Sequence, residues 1–160
     1  MSSINMSNLT LLRLSMNDLD SIILESEKSF LPSVNNPQET ANTLFSRFSQ
    51  DPLFAIYGYK IEGDTVSYIT ALGYQDFNSI SIGPMFVSNK VQGKGIGKKQ
   101  VLDFINLYKT KGTNEFFTKT WSSNQKSIRI FLELGFKEYK RHQNDRVNGD
   151  DTIEYIFSIT

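Results

Sequence analysis

The chain has 160 residues, a usual length for one domain with one hydrophobic core. Seventeen basic residues balance seventeen acidic ones, so no broad basic field is available to hold nucleic acid through its phosphates. The sequence has no cysteine and a single histidine, which excludes disulfides, thiolate metal sites and a zinc site built from several histidines. No apolar run reaches the ~18 residues of a membrane span, and residues 1–8 lack the pattern of a signal peptide. We therefore expect a single cytoplasmic domain over residues 1–160, with residues 1–8 flexible and with no metal, nucleic-acid or membrane partner.

The first part of the chain predicts one strand and two helices. Residues 10–14 have the apolar character of a short strand. Ser15 is placed to begin a helix, with Asp18 three residues later as its capping partner. Residues 36–39, Asn-Pro-Gln-Glu, combine a cap, a first-turn proline and a glutamate that can bond back, which indicates a second helix start. An apolar stripe with helical spacing follows, formed by Ala41, Leu44, Phe45 and Phe48.

The middle of the chain predicts three strands. Residues 53–60 and 65–74 flank the turn Glu-Gly-Asp at 62–64, as in a hairpin. Residues 79–87 form the third strand, which is interrupted by Gly83 and Pro84. Because proline cannot donate a hydrogen bond to a neighbouring strand, this pair predicts a bulge or a splayed edge.

The last part of the chain predicts alternating helices and strands. A helix over 95–110 is followed by a strand at 115–121, and a helix over 124–134 ends at Gly135. Two further strands, 136–143 and 152–159, flank a polar loop. Strand–helix–strand units on both sides of the strand at 115–121 indicate an α/β fold, in which a mixed sheet has helices on both faces.

The segment with the clearest chemistry lies between the strand at 79–87 and the helix that begins at 95. Its three glycines, at positions 93, 95 and 97, allow unusual φ values and let a ligand approach the backbone. The free N–H groups and the dipole of the first helical turn attract an anion. Full positive charges are added by Lys94, Lys98 and Lys99. A pyrophosphate is the expected ligand, and the alternative is a loop that only turns the chain.

Two known phosphate-binding patterns do not match this segment. The P-loop needs Ser or Thr after Gly-Lys, whereas Lys99 follows Lys98 here. The dinucleotide pattern G-x-G-x-x-G fails at its third glycine, which is Lys98. Glu115, roughly 20 residues further on, opens a strand instead of ending one. A nucleotide-binding protein is therefore a weak hypothesis for this chain.

The segment resembles the cofactor loop of the GNAT superfamily of acyl-CoA-dependent N-acyltransferases, Gln/Arg-x-x-Gly-x-Gly/Ala. Residues 92–97 read Gln-Gly-Lys-Gly-Ile-Gly, after a strand that ends at Val87. A second family motif, Asn-x-x-Ala-x-x-x-Tyr-x-x-Leu-Gly-Phe, is matched at Asn124 and at 134–136, with Ser127 and Phe131 at the alanine and tyrosine positions. The resemblance covers roughly residues 9–159 and is strongest over 80–137.

The resemblance implies a mixed, strongly twisted sheet of about seven strands, with four helices on both faces and a V-shaped splay between the fourth and fifth strands, at 79–87 and 115–121. Acetyl-CoA would lie in that splay as cosubstrate, and no metal would be needed. The amine acceptor would enter from the face built by the first two helices and the loop 144–151. The residues implied to contact the cofactor are Met85, Phe86, Val87, Gln92, Gly93, Lys94, Gly95, Ile96, Gly97, Lys98, Asn124 and Phe131.

The implied reaction is direct attack of a neutral amine on the thioester carbonyl in a ternary complex. Phe131 stands where many members have the tyrosine that protonates the leaving thiolate, so Ser127 or a water would substitute. His142 is the candidate base, and the alternative is a half-exposed surface histidine. Because Phe131 cannot donate a proton, the runner-up function is a non-catalytic acyl-CoA-binding or sensor module. Members of the superfamily are often dimers, so a homodimer is also expected.

Two features near the expected acceptor site have competing interpretations. Trp121 follows the fifth predicted strand and is either a packing residue or part of the acceptor site. The acidic residues Asp145, Asp150 and Asp151 form either a solvated turn or a site that attracts a cationic amine.

Overall fold

The computed structural model describes residues 4–30, 45, 46, 48–73 and 76–159. Its strands are β1 (Leu12–Leu14), β2 (Ala55–Gly58), β3 (Lys60–Ile61), β4 (Asp64–Thr65), β5 (Ser67–Leu72), β6 (Ser79–Val87), β7 (Glu115–Trp121), β8 (Lys137–His142) and β9 (Thr152–Ser158). Its α-helices are α1 (Ile23–Phe30), α2 (Ile96–Lys109) and α3 (Gln125–Glu133). Short 3₁₀ turns occupy Met6–Asn8 and Met16–Leu19.

The described strands form a seven-stranded mixed sheet in the order β1-β2-β5-β6-β7-β9-β8. Its neighbours are antiparallel except for β6 and β7, which run parallel and are joined through α2. The remaining strands, β3 and β4, make a separate two-residue ladder at the predicted turn 62–64. The α/β class and the seven-stranded mixed sheet are therefore confirmed.

Alternation along the strands sends neighbouring side chains into two different cores. On β2, Tyr57 packs with α2, whereas the adjacent Ile56 packs against Phe45 and the residues leading into α1. On β5, Ile69 belongs to the core that contains α2, and the adjacent Tyr68 belongs to the core that contains Phe45. Because successive residues of a strand point to opposite faces, helices cover both sides of the sheet, with α2 and α3 on one side and α1 on the other.

The predicted helices of the first part of the chain differ in their outcome. Ser15 and Asp18 make the predicted capping box, and the Ser15 N–H donates to Asp18 Oδ2 at 2.7 Å. That turn is 3₁₀, and the α-helix starts only at Ile23. The predicted second helix is helical at residues 45, 46 and 48, while its start at 36–44 and residue 47 lie outside the described residues.

The predicted irregularity at Gly83 and Pro84 lies where the sheet divides. The β5–β6 register shifts there, because Ile69 pairs with Met85 and Ala71 pairs with Ile82. The Thr70 hydroxyl bonds the Pro84 carbonyl at 2.9 Å, and a Cβ on Gly83 would lie 2.5 Å from that hydroxyl. Glycine is therefore the residue that fits this bulge.

Beyond the bulge, the parallel strands separate. The pairing of β6 with β7 ends at Ile82 and Thr118. From there β6 continues to Val87 beside β5, and β7 continues to Trp121 beside β9. The predicted splay is thus present, and no described strand covers the edge of β6 that faces it.

The start of the described chain is packed. Ile4 and Met6 pack against a small core that contains Tyr59 and Ile96. This contact joins the start of the described chain to the first turn of α2. The flexibility expected for residues 1–8 stays a prediction.

Candidate active site

A cleft of about 1130 Å³ opens where β6 and β7 separate. One side, which we call the strand wall, consists of the end of β6, the loop after it and the first turn of α2. The other side, the helix wall, consists of Trp121, Asn124 and the facing side of α3. Ser29 of α1 also lines the cleft. The charged residues among the described lining are Lys98, Lys126, Arg129 and Glu133, so cations outnumber carboxylates.

Glycines shape the loop of the strand wall. Gly93 and Gly95 have φ values of 80° and 79°, which lie in the left-handed region that other residues rarely adopt. A Cβ on either one would meet no atom within 4 Å, so the loop backbone is open to a ligand. Gly95 is also the N-cap of α2 and makes no side-chain cap bond. The first amides of α2 therefore have no capping side chain at Gly95, and the residues that carry them line the cleft.

The third glycine of the motif has a different role. Gly97 lies inside the first turn of α2, and a Cβ there would approach Ile130 Cδ1 to 3.0 Å and Val87 Cγ2 to 3.6 Å. The missing side chain lets the two walls come close at the base of the loop.

The three lysines of the segment point in different directions. Lys98 lines the cleft and forms an ion pair with Glu133 of α3 at 3.2 Å. Lys99 turns away from the cleft, because its ammonium group bonds Asp103 at 2.7 Å and the Leu9 carbonyl at 3.0 Å. Lys94 is exposed and is not among the described lining residues. Of the three charges expected near a pyrophosphate, only that of Lys98 lies on the cleft.

Asn124 begins the helix wall. Its Oδ1 accepts the Ser127 N–H at 3.4 Å, which caps α3, and its Nδ2 donates to Thr120 Oγ1 at 2.9 Å. Asn124 and Ser127 both line the cleft. The side chain of Asn124 therefore joins the end of β7 to the start of α3 at the cleft surface.

A hydrogen bond crosses the cleft at the level of the glycine loop. Lys126 of the helix wall donates from Nζ to Gln92 Oε1 at 3.0 Å. The same Gln92 side chain donates from Nε2 to the Val87 carbonyl at 2.8 Å. Gln92 thus holds the loop against the end of β6 and links it to α3.

A carboxylate fixes α1 to the same loop. Glu25 accepts the Ser88 hydroxyl at 2.9 Å and the Asn89 N–H at 2.6 Å. Ser88 is buried, and Asn89 lines the cleft. These bonds set the position of α1, whose Ser29 reaches the cleft about one helical turn later.

Phe131 lies beneath the helix wall. Its ring is 2 % exposed and packs against Phe136 and Tyr155, with ring centroids 5.2 and 6.0 Å apart. It is not among the described residues that line the cleft, whereas Ser127, one turn earlier, is. Phe131 therefore presents no surface to the cleft in this structure. Its predicted contact with the cofactor stays a prediction.

His142 lies on the sheet, outside the described cleft lining. Its Nε2 is 2.6 Å from Glu154 Oε2, and Glu154 also accepts from the Tyr139 hydroxyl at 3.2 Å. Burial opposes ionisation of Glu154, but its bond with His142 and the nearby charge of Lys119 leave the pKa of Glu154 below its usual value. His142 pairs with Thr152, which pairs with Trp121, so two strand spacings separate it from the cleft edge. Its role as a base stays a prediction.

The loop between β8 and β9 folds back onto the end of β7. The Arg146 guanidinium lies over the Trp121 ring, 5.8 Å from its centroid, and Arg146 Nε donates to Thr152 Oγ1 at 2.8 Å. Asp150 accepts from Ser123, and this bond lowers the pKa of Asp150. The loop that carries the acidic residues is therefore bonded to the end of β7 at the mouth of the cleft. It places Arg146, as well as carboxylates, at that position.

Comparison with known proteins agrees with this geometry. The model of the acetyltransferase (GNAT) family matches residues 19–136, well over half of the chain. The chain belongs to the GNAT acetyltransferase family. As a member of this family, it is an acetyl-CoA-dependent N-acetyltransferase. No curated protein is significantly similar to it in sequence.

Solved structures share the GNAT fold at low identity. An N-acetyltransferase from Staphylococcus aureus Mu50 is 20% identical, with 96% of this chain and 99% of that one covered and a TM-score of 0.78. The spermidine N-acetyltransferase of Vibrio cholerae, in complex with CoA and spermine, is 16% identical over 95% and 96% of the chains, with a TM-score of 0.77. A phosphinothricin acetyltransferase from Sinorhizobium meliloti, in complex with acetyl-CoA, is 19% identical over 94% and 88%, with a TM-score of 0.75.

The residues of this GNAT chain fit acetyl-CoA. The open loop at Gly93 and Gly95, the cation Lys98 and the uncovered edge of β6 suit the phosphates and the amide-bearing arm of the cofactor. In the described part of the chain, no three histidine or acidic side chains converge to hold a metal ion. None of the described helices has the length and apolar character needed to cross a membrane.

Sequence motifs located one wall of the GNAT cleft better than the other. All the predicted cofactor residues line the cleft except Lys94 and Phe131. The motifs did not predict Ser29 or the side of α3 that carries Lys126, Arg129, Ile130 and Glu133. Lys126 is followed three and four positions later by Arg129 and Ile130, and these are followed at the same spacing by Glu133, which is the signal that could have identified them.

Proposed function

We propose that this GNAT acetyltransferase moves the acetyl group of acetyl-CoA directly to a primary amine of a small molecule or protein, in a ternary complex. The observation that carries the proposal is the splay beyond Ile82, which ends at the open glycine loop. A cleft with an uncovered strand edge and an anion-binding loop at one end matches an extended, phosphorylated thioester.

The strand wall would bind and orient the cofactor. Acetyl-CoA supplies an activated acyl group, and backbone groups of Met85 and Val87 would hold its arm as if it were another strand. An N–H of this segment would polarise the thioester oxygen. The loop amides and Lys98 would bind the diphosphate.

Proton transfer would rest on few side chains. Ser127 lines the cleft and could donate a hydrogen bond to the leaving sulfur, in place of the tyrosine that this chain lacks. A thiol of pKa about 8.5 leaves without full protonation, so a weak donor suffices. His142 remains the proposed base. Because His142 lies outside the described cleft lining, it would take the proton of the amine through a water molecule, or would take that proton while the acceptor enters the cleft.

The acceptor would enter at Trp121, where the β8–β9 loop meets the cleft. Enzymes of similar structure are named for acceptors as different as spermidine and phosphinothricin, so the fold does not select one acceptor. We propose a primary amine as the class. Homodimer formation and a cytoplasmic location also remain proposals.

Calorimetry and thiol release together test the proposal. Acetyl-CoA should bind the folded protein, and free CoA should appear when an amine panel containing spermidine, lysine and an N-terminal alanine peptide is added. Binding without release of CoA for any amine would favour the acyl-CoA-binding module instead. Displacement of bound CoA by low concentrations of NAD or ATP would favour a nucleotide-binding protein, and no binding of CoA would overturn the proposal.

A further inference from the structure

The cleft carries a cation that no sequence motif predicted and that is already directed toward the glycine loop. Lys126 lies on the helix wall and lines the cleft, and its Nζ is 3.0 Å from Gln92 Oε1. Gln92 is the first residue of the loop motif and is tied to the Val87 carbonyl. The ammonium group of Lys126 therefore lies next to the glycine loop that is proposed above to bind the diphosphate.

The partner that Lys126 has in the structure is a weak one. An amide oxygen is neutral, and both residues of the pair are exposed. A phosphate oxygen is charged, and a hydrogen bond between two charged groups is stronger than one to a neutral acceptor. An anion bound at the loop would therefore draw Lys126 away from Gln92.

We propose that Lys126 binds the diphosphate of the cofactor from the helix wall, exchanging the Gln92 oxygen for a phosphate oxygen. The two walls then hold the diphosphate from opposite sides, with loop amides and Lys98 on one side and Lys126 on the other. The inference rests on the cofactor site proposed above. It adds a residue from α3 to a site that the motif places on the loop alone.

Cofactor fragments with different phosphates test the role of Lys126. Lys126→Met keeps the length of the side chain and removes its charge. Lys140→Met is the control, since Lys140 is an exposed lysine on β8 that is not among the described cleft lining. Calorimetric dissociation constants are measured for CoA, dephospho-CoA and pantetheine with the wild type and both variants. We expect Lys126→Met to lose about 10- to 100-fold in affinity for CoA and dephospho-CoA and to keep the wild-type affinity for pantetheine.

Each other result contradicts the inference in a distinct way. A loss for CoA but not for dephospho-CoA would place Lys126 on the ribose 3′-phosphate instead of the diphosphate. An equal loss for pantetheine, or equal losses in Lys126→Met and Lys140→Met, would show a structural or general charge effect. Unchanged affinities in Lys126→Met would overturn the assignment while wild-type binding of CoA leaves the proposed function intact. No CoA binding by the folded wild type would instead be a failure of the proposed function itself.

Discussion

The two walls of the cleft offer a ligand different chemistry. The strand wall presents mainly backbone, through the uncovered edge of β6 and the open turns at Gly93 and Gly95. The helix wall presents side chains that are already hydrogen-bonded, with Asn124 bonded to Thr120 and Lys126 to Gln92. Backbone binding depends on chain conformation, whereas side-chain binding depends on residue identity.

This difference indicates which substitutions each wall tolerates. On the strand wall, a new side chain is harmful when it forces the backbone out of a conformation that only glycine adopts readily. On the helix wall, a substitution removes one interaction and leaves the helix in place. We therefore expect the largest losses on the strand wall and graded losses on the helix wall.

Gly95→Val should have the largest effect. A β-branched residue at φ 79° adds strain of roughly 1–3 kcal/mol, and the loop relieves that strain by turning its amides away. Several hydrogen bonds to one anion would be lost together, so the affinity for CoA should fall by about 100-fold, as measured by calorimetry.

Gly112→Val is the matched control for the glycine loop. Gly112 has φ 95°, a Cβ there meets no atom within 4 Å, and the residue follows α2 outside the described cleft lining. Its strain should lower thermal stability as much as Gly95→Val does and leave CoA binding unchanged. Equal losses of affinity in the two variants would contradict a specific role of the loop backbone.

Asn124→Ala should have a smaller effect than Gly95→Val or Lys126→Met. Loss of the cap on α3 should cost about 1 kcal/mol in the free energy of unfolding, and CoA affinity should fall about five- to tenfold. Asn124→Ser, which retains a capping oxygen, separates the two effects. It should recover stability in urea denaturation but not affinity, and recovery of both would show that Asn124 only caps the helix.

The sequence predicted the backbone features of the cleft more fully than its side-chain contacts. Glycines at 83, 93 and 95 and the order of elements follow from local conformational rules, and the splay and the open loop agree with them. The directions of Lys99 and Phe131 depend on tertiary packing. Lys99 bonds Asp103, four residues along the same helix, and Phe131 packs against β9 and the residue before β8. A motif aligns such residues with a family position without showing where their side chains point.

Phe131→Tyr tests whether the helix wall needs a general acid. Because a thiolate is already a tolerable leaving group, we expect turnover to change by less than about tenfold. The added hydroxyl enters a buried ring cluster, so the free energy of unfolding should fall by about 1–3 kcal/mol unless the hydroxyl finds a partner. Turnover with acetyl-CoA and thermal unfolding measure the two effects. A rise in turnover of about 100-fold or more with unchanged CoA binding would contradict the idea that catalysis proceeds with weak acid assistance.

Glu133→Gln should give the smallest effect, and its direction is opposite to that of the other substitutions. Glu133 holds Lys98 in an exposed ion pair, and such pairs contribute only about 0–1 kcal/mol to stability. Removing the carboxylate frees Lys98 for a phosphate, so the affinity for CoA should rise about two- to threefold at low salt and return toward the wild-type value as salt increases. Glu138→Gln is the control, because Glu138 is in a similarly exposed pair with Arg141 on β8 and its substitution changes the net charge equally. If both variants bind CoA more tightly, the gain reflects overall charge. If only Glu133→Gln does, a carboxylate of the helix wall competes with the cofactor for the cation of the strand wall.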